Sequence, residues 1–131
     1  MSLESKIAAG KTGTASATVS EANTAKTVGS GSMEVFGTPM MVALMEQAAC
    51  ACLADALEAG QTSVGTLVDI AHTAASPLGA QITATAVVTA VEGRKISFTV
   101  SAHDGKGEIG SGTHERFVVE AERFMAKLLR T

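Results

Sequence analysis

The feature that most constrains this chain is the run at residues 38–59, TPMMVALMEQAACACLADALEA, bracketed by Gly37 and Gly60. Thr38 followed by Pro39 reads as a helix start. The threonine would be the N-cap and the proline the first helical residue, where its missing N–H costs nothing. Gly60 is a natural stop. Over its first four turns this helix is apolar nearly all round, so it is expected to be wrapped by other structure rather than laid on a surface. Glu46, Gln47, Asp55 and Glu58 interrupt it, and no stretch of the chain approaches the roughly 20 apolar residues of a membrane span.

What would wrap it follows in the sequence. Residues 11–19 (KTGTASATV) read as a first strand, and 20–32 (SEANTAKTVGSGS) as a loop or short strand. Beyond Gly60 the period changes from helical to alternating. Residues 62–74 (TSVGTLVDIAHTA) form a long β-branched strand ending at the turn Ser76-Pro77-Leu78-Gly79. Residues 81–91 alternate up to a Glu92-Gly93 turn, and 95–102 place Ile96, Phe98, Val100 and Ala102 on one face. Asp104-Gly105-Lys106-Gly107 marks the next hairpin, 108–119 the last strand, and 120–129 a short amphipathic helix. Hairpin-linked strands after one helix mean an antiparallel sheet, not βαβ winding. The expected class is therefore α+β, with five or six strands curled around one long central helix, the hotdog arrangement. The 131 residues suit a single domain spanning 1–131, with 1–10 read as a disordered start.

Composition narrows the function. Ten Lys and Arg against thirteen Asp and Glu give a net charge of −3, which argues against a nucleic-acid binder needing a basic stripe. The lack of Trp and Tyr, with only four Phe, also removes stacking platforms for single strands. The first residues, MSLESKIAAGKTG, contain no apolar signal core, so the expected location is cytoplasmic and no membrane partner is expected. Cys50 and Cys52 lie two apart in the helix and point to different faces, so they form neither a disulfide nor a chelating pair. They read as small buried hydrophobes. Charged residues are only 18 % of the chain against 46 % hydrophobic, which suggests that a second copy covers part of the surface.

Five kinds of residue invite chemistry. Glu46 sits among Leu44, Met45, Ala48 and Ala49. Either it lies on a solvated helix edge with Gln47, or it is a desolvated carboxylate suited to act as general base or nucleophile. His72 lies late in the strand after Gly60, as a satisfied strand histidine or as a proton carrier working with Glu46. His103 belongs to a hairpin tip, and His114, beside Glu115 and Arg116, to a structural ion network. No two histidines have the spacing of a metal site. Thr38 is explained by capping alone, and eight residues of helix put it about 12 Å from Glu46, too far for a direct bond. Free N–H groups at that helix start suit an oxyanion or phosphate. Gly65 allows close backbone approach within a strand, or else marks a bulge. Arg116 faces the pocket or the phosphates of a ligand, or pairs with its Glu115 neighbourhood. The glycine tracts at 29–31 and 105–107 match no phosphate loop.

Val35-Phe36-Gly37-Thr38-Pro39 with Glu46 in MVALMEQAAC, the segment 63–72 (SVGTLVDIAH), the turn Ser76-Pro77-Leu78-Gly79, and 111–117 (SGTHERF) together resemble the fluoroacetyl-CoA thioesterase-like family of hotdog proteins. The resemblance spans roughly residues 33–119. It implies a thioesterase hydrolysing a short acyl-CoA to free acid and CoA, with no cofactor beyond the CoA carried by the substrate. It implies a catalytic set of Thr38, Glu46 and His72 at the interface of a homodimer, which is expected either alone or as half of a tetramer. Gly65, through its N–H, would polarise the thioester carbonyl, and Phe36 and Arg116 would contact substrate. It does not imply fluoroacetate as the acyl group. Two alternatives stand beside it: an acyl-CoA or acyl-carrier binding module without turnover, and a hotdog hydratase or dehydratase. The second lacks its usual His-with-Asp signature, since Asp69 and His72 lie on opposite faces of a strand.

Overall fold

The alternating segments after Gly60 pair as their hairpin turns dictate. The computed structural model describes residues 2–130, so Met1 and Thr131 of the expected 1–131 domain lie outside the described residues. Strands β1 (Thr12–Thr18), β2 (Gln61–His72), β3 (Gln81–Glu92), β4 (Lys95–His103) and β5 (Glu108–Glu120) form one antiparallel sheet. Its order is β1-β3-β4-β5-β2, so β1 and β2 are its two edges. Helices are α1 (Leu3–Lys6), α2 (Ala25–Val28), α3 (Thr38–Leu53) and α4 (Ala121–Leu129). The expected α+β class holds, with five strands.

The period-two pattern decides which face meets α3. Ile82, Ala84, Ala86 and Val88 of β3 and Ile96, Phe98, Val100 and Ala102 of β4 are all 3 % exposed or less. Against them α3 presents Met41, Leu44, Met45, Ala48, Ala49 and Cys52, spaced three and four apart. Full burial of one such large side chain stabilises by about 1.5–3 kcal/mol. Small residues set how closely the layers approach. A Cβ on Gly13 would fall 2.4 Å from the Ala48 carbonyl oxygen and 2.4 Å from the Cys52 nitrogen, so β1 rests directly on the helix backbone.

Several local expectations need correction. The helix was expected to run to residue 59 but ends at Leu53. Lys11 of the neighbouring strand segment donates from Nζ to the Cys52 carbonyl at 2.5 Å and pairs with Asp55 at 2.5 Å, occupying the last turn. Gly60 still makes the final reversal, at φ +87°. At the other end the N-cap is Gly37, not Thr38, and no side chain caps the helix. The full burial expected from an all-round apolar helix is also not met. Gln47, Cys50 and Ala51 are exposed and Val42, Ala43 and Glu46 partly so, because the sheet covers only one side of α3. Cys50 is thus an exposed thiol and only Cys52 is buried.

Residues 20–32, expected as loop or strand, form a 3-10 turn at Glu21–Asn23 and then α2. The reason is capping chemistry: Ser20 and Asn23 make a reciprocal capping box, Thr24 caps α2, and Gly29 closes it at φ +81°. The chain then returns as Ala25 N–H bonds the Val35 carbonyl and Phe36 N–H bonds the Ser76 carbonyl. Phe36 is thereby pinned beside the start of α3, 2 % exposed. The disordered start expected for 1–10 is not what residues 2–10 do. Leu3–Lys6 form a helical turn, and Ile7 is buried in the core at 2 % exposure.

Candidate active site

Helix α3 and edge strand β2 run in opposite senses along one seam, and that geometry gathers the candidate residues into two groups. At the start of α3, Thr38 Oγ1 lies 2.7 Å from His72 Nδ1 near the end of β2. A first-turn threonine relieved of capping is free to turn its hydroxyl to the strand. His72 Nε2 is buried and has no hydrogen-bond partner among the described residues. Burial pulls the His72 imidazole below its ordinary 6.5, with the Ala74 backbone acting weakly the other way, so the ring is neutral at pH 7. Phe36, Thr38 and His72 line one cavity of about 250 Å³ with Ala25, Ser30 and residues 73–75.

Two turns along the helix is the second group. Glu46 Oε2 accepts from Arg116 Nη1 at 3.1 Å and lies 4.0 Å from His114 Nε2. Gly65 is packed against both partners: a Cβ there would fall 2.4 Å from Glu46 Oε2 and 3.2 Å from Arg116 Nη1. Both readings of Gly65 hold, because β2 also bulges between Gly65 and Leu67 where it pairs with β5. Of the six candidates, then, the fold joins Thr38, His72 and Phe36 at one end and Glu46, Gly65 and Arg116 at the other. Thr38 and Glu46 make no bond to each other, as helix rise requires.

For two residues of this group one of the open readings fails. Glu46 is not wrapped by the sheet; its side chain is 38 % exposed and faces a cation, so it is a half-buried, charge-paired carboxylate rather than a desolvated one. Arg116 does not pair with its Glu115 neighbourhood, because adjacent strand residues point to opposite faces and Arg116 points inward to α3. The network expected for His114 forms with Arg116 and Glu46 rather than Glu115, and Ser63, which carries no such expectation, joins it. His114 is 1 % exposed, with Nδ1 2.8 Å from the Leu67 carbonyl and Nε2 3.2 Å from Arg116 Nη1. Ser63 accepts from Arg116 Nε at 2.8 Å and, by its carbonyl, from Nη2 at 3.0 Å. The signal was present in the sequence: His114 and Arg116 are two apart on a strand and share a face. His103 is exposed, as its hairpin position requires. Among the described residues, no three His, Cys, Asp or Glu side chains are placed to hold a metal ion.

The arrangement can supply a neutral imidazole tied to a hydroxyl, a carboxylate oriented by a guanidinium, and a closely approached strand backbone. Comparison with known proteins finds the same combination of sequence and fold elsewhere. The family model described as fluoroacetyl-CoA-specific thioesterase matches residues 19–122. The fluoroacetyl-CoA thioesterase of Streptantibioticus cattleyicolor is 54 % identical over 95 residues, which is 72 % of this chain and 68 % of that protein. A crystal structure of a fluoroacetyl-CoA-specific thioesterase superposes with a TM-score of 0.88 at 43 % identity, covering 93 % of this chain and 95 % of that one. A hot-dog-like protein from Thermanaerovibrio acidaminovorans superposes with a TM-score of 0.88 at 27 % identity, over 98 % and 95 % of the two chains.

Proposed function

From the premise that this chain belongs to the fluoroacetyl-CoA-specific thioesterase family and is a hotdog acyl-CoA thioesterase acting on short-chain acyl-CoA, we propose that its two half-sites complete each other across a homodimer. The observation that carries this is the separation itself: Thr38 is bonded to His72 at one end of β2, and Glu46 to Arg116 at the other. Seven residues of extended strand between Gly65 and His72 span about 23 Å, more than one thioester can bridge. β2 is an edge strand of twelve residues, with Leu67 43 % and Val68 41 % exposed. Such an edge is a template for another strand. Antiparallel pairing of two copies of β2 about a two-fold axis between Val68 and Asp69 sets Gly65 opposite the partner's His72. Each site then draws Thr38 and His72 from one chain and Glu46, Gly65 and Arg116 from the other.

In that site the Thr38 hydroxyl donates to His72 Nδ1, which leaves the neutral ring with an N–H at Nε2. A buried donor without a partner costs about 1–3 kcal/mol, and a bound thioester relieves that cost. Arg116 holds Glu46 by Oε2, leaving Oε1 to take a proton from water as the water oxygen attacks the thioester carbonyl carbon. The Gly65 N–H and the helix start at Thr38 carry the negative charge that develops on the carbonyl oxygen. The C–S bond then breaks, the acid leaves, and the CoA thiolate is protonated by way of His72. No metal or cofactor enters these steps. Phe36 forms the apolar wall next to the acyl group.

The test is a panel of acetyl-, fluoroacetyl-, propionyl-, butyryl- and octanoyl-CoA assayed for released thiol, combined with subunit mixing. Short esters are expected to turn over fastest. His72→Ala and Glu46→Gln should each be nearly inactive, and an equal mixture after subunit exchange should recover about a quarter of wild-type activity, one intact site in each mixed dimer. No recovery after demonstrated exchange, or an active monomer by light scattering, refutes the shared site.

A further inference from the structure

Among the described residues His114 is the one fully buried histidine, 1 % exposed, and the steps above leave it unused. It lies on β5 with its ring stacked on Phe98 of β4, ring centres 5.9 Å apart. The charged groups facing it are Arg116 from β5 and Glu46 from α3, and β2 contributes the Leu67 carbonyl. These neighbours settle where its proton sits. A carbonyl only accepts, so Nδ1 must carry a hydrogen to bond Leu67 at 2.8 Å. A guanidinium only donates, so Nε2 must be bare to accept from Arg116 Nη1 at 3.2 Å. One neutral tautomer satisfies both contacts; the other tautomer breaks both.

We propose that His114 is a positioning residue for the thioesterase reaction, fixing through Arg116 the orientation of the Glu46 carboxylate. Arg116 is clamped on every side but one. Nε and Nη2 are spent on Ser63, and the two hydrogens of Nη1 divide between His114 Nε2 and Glu46 Oε2. A planar guanidinium held at three nitrogens has no torsional freedom left, so the direction of its bond to Glu46 is set by where His114 accepts. Without that acceptor, one Nη1 hydrogen would be orphaned in a site where Arg116 is 6 % exposed, and the group would rotate to satisfy it. Glu46 lies half-exposed at the mouth of the site and would follow. The same clamp leaves Arg116 too few free donors to hold the CoA phosphates.

The inference rests on the reading of Glu46 as the catalytic carboxylate, and the test separates the two. His114→Gln places an amide oxygen near the Nε2 position and keeps an acceptor for Arg116. His114→Asn keeps the donor toward Leu67 and loses that acceptor. The expected result is that H114Q holds kcat within about threefold while H114N loses on the order of 10–100-fold in kcat at little-changed KM, with the two melting alike. Equal loss in both variants, or near-normal kcat in H114N, overturns the positioning role. Should H114N fail to fold, H114Q and long-range ¹H–¹⁵N spectra of the wild-type ring decide. A protonated Nδ1 with bare Nε2 supports the proposal; a protonated Nε2, or a more than tenfold loss in H114Q, overturns it. Glu46→Gln measured alongside divides the failures. An impaired E46Q with a normal H114N sinks the positioning role alone, whereas a fully active E46Q sinks the underlying reading with it.

Discussion

Adding a single methyl group at Gly65 tests whether the second half-site is a piece of catalytic geometry or only packing. The backbone at Gly65 is not in the left-handed region, so alanine brings no conformational strain there. Its Cβ would instead fall 2.4 Å from Glu46 Oε2, with Arg116 Nη1 at 3.2 Å and His114 Cε1 at 3.4 Å. An ordinary contact begins near 3.4 Å, so the Glu46 carboxylate has to retreat by about 1 Å. It is able to do so. The clash is with the far end of a side chain that is 38 % exposed, not with backbone. The fold therefore survives while the base moves, and a displacement of that size costs about 10²-fold in rate.

Gly13→Ala is the matched control, because its Cβ would sit equally close to its neighbours but against backbone. The Ala48 carbonyl and the Cys52 nitrogen, both 2.4 Å away, belong to α3 and cannot move without moving the helix. G13A should lose stability by an overpacking penalty of about 1–3 kcal/mol or more, and lose activity only as far as it unfolds. The assay is thiol release from acetyl-CoA at saturating substrate, with thermal melts on the same samples. G65A is expected to melt near wild type with kcat down about a hundredfold, and G13A to show the reverse. If G65A kept its kcat within a factor of three, or lost activity only in proportion to its melting temperature, the assignment of Gly65 and Glu46 to one reacting centre would be wrong.

Glu46→Gln keeps volume and one hydrogen bond to Arg116 but abolishes the base. Thiol release should fall by roughly 10²–10⁴ with the melting temperature little changed, and a loss under twofold would exclude Glu46 as base. Thr38→Val removes the hydroxyl that bonds His72 at 2.7 Å; kcat should fall about tenfold and return in Thr38→Ser, because α3 takes no side-chain cap from this position. Burial lowers the His72 pKa below 6.5, so the neutral ring predominates above that value. Its contribution to stability is thus complete above pH 6.5 and declines as pH falls through 6.5 toward the lower folded value, the unfolded chain taking up the proton first. The acid limb of the kcat profile due to His72 should lie below 6.5 and vanish in H72A; a limb above 6.5 would show a charged imidazole at work.

The sheet was legible because its signal is periodic and local. Alternation in 81–91 and 95–102, punctuated by Glu92-Gly93 and Asp104-Gly105, leaves one pairing in which Ile96, Phe98, Val100 and Ala102 all face inward. The two ends of α3 were less legible, because both are decided by contacts from distant segments. Lys11 bonds the last-turn carbonyl of Cys52 from 41 residues away in sequence, and no pattern within 38–59 announces it. Thr38 was misplaced for a related reason. Its capping preference is a local prior, and the bond to His72, 34 residues on, outweighs it once the helix start rests against β2. Ser20, Asn23 and Thr24 carry the capping chemistry of 20–24, but in a segment whose polarity resembles an ordinary loop.

For the site, the sequence carried residue identities but not their partners. The desolvated reading of Glu46 rests on the premise that a sheet surrounds α3 completely, yet the five strands cover only one side of it. The uncovered side carries Val42, Ala43, Glu46, Gln47 and Cys50, and Glu46 on it lies against Gly65 of the edge strand β2. The two discrepancies therefore have one physical origin. A helix apolar all round is a sequence written for more burial than one copy of this sheet provides. A carboxylate half-exposed on that helix gains a dry environment only if the missing cover arrives with a second chain. On that reasoning the partner that shields Glu46 also brings His72 within reach of it, so dimerisation and assembly of the reacting centre are a single event. Dilution should then abolish activity and expose the β2 edge to hydrogen exchange at the same protein concentration. If the two transitions separated, with exchange at residues 64–70 rising while turnover persisted, the site would be complete within one chain and the division proposed between half-sites would fall.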